Sequence, residues 1–177
     1  MIELKTLKGP GIRCVIATHP VSRLSYKTFL RDAHLSIPKP LTQPAPGSSP
    51  VTYVSQISAR AYCKWLSSQE GHPYRLPTMG ELLELYSEDL TEDGFSSDLW
   101  PHQMGHMPEM RGGLKEMFLC EWSTEVEEIP QPNQRPPRLL GSIFYPTWLR
   151  QSVNAPQAHF QATEGYSFVT FRVAADN

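Results

Sequence analysis

PVTYVSQISARAYCKWLSSQEGHPYRLPTMGELLELY, residues Pro50 to Tyr86, carries most of the structural information in this chain. Val51, Tyr53 and Val54 form a β-prone run that closes at Ser55. Beyond it, Ala59, Tyr62, Cys63 and Leu66 recur at helical spacing, with Lys64 and Ser67 expected to face outward. Ser55 or Ser58 supplies the hydroxyl that caps this helix. Gly71 ends it, and Pro73 prevents its resumption. Thr78 followed three residues later by Glu81 is a capping box, and Leu82, Leu85 and Tyr86 make the apolar face of the next helix.

Outward from this stretch, Ile2 to Leu7 and Ile12 to Ala17 read as strands around the turn Lys8-Gly9-Pro10-Gly11. Ser22 to Ala33 reads as a helix with Ser22 as its cap and Tyr26, Phe29 and Leu30 on one face. Further strands are expected at Met117 to Trp122, Arg138 to Tyr145 and Tyr166 to Ala174. Helices come early and strands late, which predicts an α+β fold with a mostly antiparallel sheet in a single domain spanning 1–177. Of the 17 prolines, 11 cluster at 38–50, 101–108 and 130–137, so these segments read as extended loops.

Composition narrows the function classes. The formal net charge of −2 leaves no basic footprint for nucleic acid or an anionic membrane. No apolar run approaches a membrane span, and the N-terminus has no apolar signal core, so a cytoplasmic location is expected. A chain trimmed of its signal would read the same. The three cysteines, Cys14, Cys63 and Cys120, are odd in number and far apart, which argues against a disulfide framework or a structural zinc site.

The stretch from Pro50 to Tyr86 resembles the core signature of the formylglycine-generating enzymes, the sulfatase-modifying factor domains, above all in Ala61-Tyr62-Cys63-Lys64-Trp65 and Tyr74-Arg75-Leu76-Pro77-Thr78. Four weaker blocks follow the family's order. His19-Pro20-Val21-Ser22 with Tyr26 and Phe29-Leu30 resembles the turn into its first helix. Cys120-Glu121-Trp122-Ser123-Thr124-Glu125 resembles its NVWEWTSD strand, Arg138 to Ser142 its RVLRGGSW block, and Phe171-Arg172-Val173 its closing GFRVV. The resemblance implies the family's variant of the C-type-lectin-like fold, in a short version without the opening GGxFxMG segment. It also marks Arg75, Glu81, Glu121, Trp122 and Arg172 as motif positions, and Arg75 is expected to hold a hydrogen-bond or ion-pair network because a guanidinium offers five donors in a fixed fork.

The departures from the pattern carry the functional reading. The family's enzymes bind copper and activate oxygen through a cysteine pair near the C-terminal end, and between Ser123 and Asn177 this chain has no cysteine. At the calcium-binding block the Gly and Asn positions are Met117 and Phe118, leaving only Glu121. The expectation is therefore no cofactor and no catalytic residue. The chain reads instead as a binding or accessory module that recognises a protein or peptide partner, with no nucleic acid and no membrane. Trp100, Arg111, Tyr145, Trp148 and Arg150 are the candidate partner-binding residues, in long aperiodic loops rich in interface-type side chains. The same aromatics also fit a core that holds those loops down. The alternative is an oxidoreductase-related enzyme or enzyme subunit using copper or iron at a non-standard site. His102 and His106, in the Met/His stretch Trp100 to Met110, would then be the ligands; the same stretch also reads as a loop whose methionines plug the edge of the core.

Overall fold

The computed structural model describes residues 2–9, 11–88, 119–126, 137–140, 161–167 and 169–176. The chain opens with β1 (Leu4–Gly9) and β2 (Ile12–Ala17), an antiparallel hairpin in which Gly9 pairs with Ile12 and Leu4 with Ala17. Gly11 takes the left-handed conformation (φ 77°) that this tight turn requires. Next come α1 (Arg23–Asp32), α2 (Lys39–Thr42), α3 (Gln56–Glu70) and α4 (Met79–Glu88). The chain continues with β3 (Cys120–Val126), β4 (Pro137–Leu140), β5 (Val169–Thr170) and β6 (Ala174–Asp176). Among the described residues these strands form two three-stranded sheets, ordered β1-β2-β6 and β4-β3-β5. All pairs are antiparallel except β3 with β5. No helix among the described residues is long and apolar enough to cross a membrane.

The helix ends follow their local chemistry. Ser22 Oγ accepts from the Ser25 N–H at 3.1 Å, and Ser55 Oγ accepts from the Ser58 N–H at 3.1 Å, so Ser55 is the cap of α3. Gly71 closes α3 at φ 68°, its N–H reaching Ser67 O. Thr78 Oγ1 accepts from the Glu81 N–H at 3.1 Å while Glu81 Oε2 accepts from the Thr78 N–H at 2.7 Å, which completes the capping box at the head of α4.

Three expectations are corrected. The run Val51 to Val54 is not a strand. Tyr53 adopts φ 59°, and its N–H bonds to Tyr166 O at 2.9 Å, because the backbone of Gly165 presses against it. Ser67 does not face outward. Its hydroxyl donates to Cys63 O at 2.8 Å and accepts from the Tyr74 N–H at 2.7 Å, pinning the loop after α3. Tyr166 to Ala174 is not one strand but supplies β5 to one sheet and β6 to the other. The residues between, Phe171 to Val173, are fully buried and cross from sheet to sheet. The proline-rich segment 38–50 also contains a single helical turn, α2, that propensity did not announce. Pro40 is tolerated in its first turn, and Leu41 is fully buried.

The main core lies between α1, α3 and the crossing segment. Tyr26, Phe29, Tyr62, Trp65 and Phe171 pack with ring centroids 5.4–6.0 Å apart, mostly tilted or edge-on. A smaller cluster seats Met79, Leu82 and Leu85 of α4 on Leu7, Cys14 and Ile16 of the hairpin. The Tyr74-to-Thr78 motif is the seam between the two sheets. Arg75 exchanges both backbone bonds with Ala174 at 2.8 Å, and Pro77 O accepts from the Thr124 N–H at 2.8 Å.

Candidate functional site

Four groups of side chains on this frame could carry chemistry, and each is built from a different piece of local structure.

The first is Glu121 with Arg172. The pairing of β3 with β5 sets Glu121 opposite Thr170, and the crossing segment then turns Arg172 inward. Both residues are fully buried. Arg172 Nε donates to Glu121 Oε2 and Nη2 to Oε1, each at 2.7 Å. Its Nη1 donates to Ala17 O at 3.1 Å and Thr18 O at 3.0 Å, where β2 ends. This fork ties β2, β3 and the C-terminal crossing into one unit. Both oxygens of the Glu121 carboxylate are committed to a guanidinium, so the residue does not fit as a calcium ligand; a hard cation would have to displace its buried counter-ion. Trp122 beside it is also fully buried and donates from Nε1 to Val54 O at 2.8 Å.

The second group is Arg75, Glu81 and Asp176. Arg75 donates from Nη1 and Nη2 to the two Glu81 oxygens at 2.8 and 2.7 Å, and from Nε to Asp176 at 3.2 Å. No local motif points to Asp176, 101 residues away in sequence; the β6–Arg75 bridge brings it there. Burial raises the Glu81 pKa, but the Arg75 hydrogen bonds, the Thr78 N–H and the charge of Arg75 outweigh it and hold the carboxyl down at about 2. A carboxyl depressed in the folded state stabilises the fold above its unfolded value and loses that contribution as the pH falls through its folded value. The window therefore runs from about pH 4.5 to about pH 2. Thermal unfolding followed across this range is expected to show a loss of roughly 2 kcal/mol from this group, after discounting for the part-exposed Arg75. Glu81→Gln should flatten that part of the profile, and an unchanged profile would show that Glu81 does not carry it.

The third group is the cysteines. Cys14, Cys63 and Cys120 are all free and buried. Burial pushes each thiol up to about 12. For Cys14 the bond to Glu81 adds to this, and for Cys120 the neighbouring charge of Glu121 does. Copper chemistry of the thiolate-pair kind needs accessible, readily ionised sulfur. These residues do not fit it: they lie on β2, α3 and β3, enclosed in the core and held as neutral thiols.

The fourth group is a groove of about 450 Å³ where the outer face of α3 meets Tyr74 to Leu76 and Thr124. Arg60 donates to Thr124 O at 2.6 Å, and Ile57 is 53% exposed at its rim. No motif announced this groove; the residues contribute to it singly from three separate segments.

The candidate partner-binding residues Trp100, Arg111, Tyr145, Trp148 and Arg150, and the candidate metal ligands His102 and His106, lie outside the described residues. Among the described residues no group of three or more His, Cys, Asp or Glu is placed to hold a metal ion.

The sequence model for the sulfatase-modifying factor enzyme 1-like domain matches residues 13–138. Among solved structures, the crystal structure of CarF is similar over 99% of this chain and 97% of its own, with a TM-score of 0.59 at 13% identity. At that identity the likeness concerns the fold. None of the curated proteins matches the chain.

Proposed function

The chain belongs to the family of sulfatase-modifying factor enzyme 1-like domains, and on that premise we propose that it is a binding or accessory module on the family's scaffold, recognising a protein or peptide partner. One observation carries this reading. The thiols this chain has, and the one carboxylate left of the family's calcium block, are spent on structure: three core cysteines held as thiols, and a Glu121 carboxylate bound at both oxygens by Arg172. A stable frame whose reactive groups are consumed in this way is suited to presenting loops, where recognition residues vary at little cost to the fold. The proposed contact residues are Trp100, Arg111, Tyr145, Trp148 and Arg150.

The test has two arms. Protein loaded with copper and desalted is expected to retain no stoichiometric metal and to leave a cysteine-containing peptide unoxidised. One equivalent of copper, lost on His102→Ala with His106→Ala, would replace this reading with a metal site on the Met/His stretch. In the second arm, alanine at the five contact positions should abolish partner capture while the melting temperature stays within a few degrees. Unfolding of those variants, or intact capture, would overturn the proposed face.

A further inference from the structure

The groove on α3 has a composition that selects its occupant. Its apolar surface comes from Ile57, Ala61 and Tyr74, and two cations stand over it, Arg60 and Lys64. Among the described residues no acidic side chain lines it, and neither cation has an ion-pair partner. Arg75, the third cation at the groove, is already paired with Glu81 and Asp176. Glu70, the last residue of α3, is engaged by the Tyr74 hydroxyl at 2.6 Å. Arg60 uses Nη2 on Thr124 O, which holds the guanidinium over the groove with no further partner among the described residues.

We propose that this groove is a docking site for an extended acidic peptide segment of the pattern apolar-x-Glu-x-Glu, whose side chains on one face set the apolar residue against Ile57 and Ala61 and the two carboxylates on Arg60 and Lys64. The spacing supports the match. Residues four apart on a helix stand about 6 Å from each other, and alternate side chains of an extended chain repeat every ~6.6 Å. One face of a Glu-x-Glu segment therefore meets both cations at once. A basic or neutral peptide gains nothing from the pair, which sets the sign of the selectivity. The inference rests on the reading of the domain as a binding module. It uses a different surface, however, and stands on described residues alone.

The probe is a fluorescein-labelled peptide of sequence GLTETEG, followed by fluorescence anisotropy against the full chain, with GLTQTQG as its neutral twin. The acidic peptide is expected to bind at least ~10-fold more tightly than the neutral one, and raising the salt should weaken it steeply. Lys64→Glu should reduce binding by about 10-fold, and adding Arg60→Glu should abolish it. Among the described residues Lys64 makes no hydrogen bond or ion pair, so its variant should keep the wild-type melting temperature and isolate the docking effect. Equal affinity for the two peptides, no binding of either, or binding that survives both charge reversals would overturn the proposal. Binding lost on Trp100→Ala or Trp148→Ala but not on Lys64→Glu would assign the peptide to the loop face and remove it from the groove. A concentration-dependent dimer in light scattering, abolished by Lys64→Glu, would make a second copy of this chain the occupant and also overturn it.

Discussion

Arg172→Met is expected to destabilise the fold by about 3–5 kcal/mol, because it leaves the Glu121 carboxylate buried without its partner. Among the described residues its loss ends two hydrogen bonds to the carboxylate and one each to Ala17 O and Thr18 O. The two backbone acceptors lie where β2 ends, so the loss also loosens the first sheet from the second. Arg172→Lys should recover little, since an ammonium cannot bind both carboxylate oxygens and reach two carbonyls from one plane. The double change Arg172→Met with Glu121→Leu should be milder than Arg172→Met alone, because it removes the uncompensated charge. Chemical denaturation of the four proteins reads this directly. Arg172→Met within ~1 kcal/mol of wild type, or a double variant less stable than Arg172→Met alone, would show that the pair does not hold the sheets as described.

Gly165→Ala is the second large effect, and it acts through the backbone. A methyl group at that position would sit 2.2 Å from Tyr53 O, 2.3 Å from Tyr53 C and 2.9 Å from Val54 N. None of these atoms can rotate away as a side chain could. The segment they belong to is also fixed at both ends, by the Tyr53 bond to Tyr166 O and by the Trp122 bond to Val54 O. The expected loss is about 3 kcal/mol or more, at the upper end for overpacking because backbone must move. Gly11→Ala is the internal control. Gly11 has φ 77° and nothing within 4 Å of the added carbon, so only the left-handed penalty of about 1 kcal/mol applies. Similar losses for the two variants would sink the close-approach account.

The two effects share an origin in the last blocks of the chain, whose conformation depends on partners far away in sequence. The Tyr166-to-Ala174 stretch has the β-prone composition of one strand, but Arg172 has to reach carbonyls at the end of β2 and a carboxylate on β3 together, and a continuous strand in a single sheet could not deliver it there. Val51 to Val54 has β propensity as well. It loses to the approach of Gly165, a neighbour more than a hundred positions away, and Tyr53 accepts a left-handed backbone as the consequence.

What the sequence by itself determined is everything settled within a turn or two of helix. The Ser22 and Ser55 caps, the Gly71 stop, the Thr78–Glu81 capping box and the inward faces of α1 and α3 all rest on donors, acceptors and apolar groups no more than four residues apart. The order of family blocks did the same for the fold, since their spacing encodes a chain path. Only the tertiary structure decided what the charged residues do. Glu121 and Arg172 are 51 residues apart, Arg75 and Asp176 are 101 apart, and the groove draws Ile57, Tyr74 and Thr124 from separate segments. An ionisable side chain takes its role from its counter-ion and its burial, and both are set by pairings across the sheets that no local window contains.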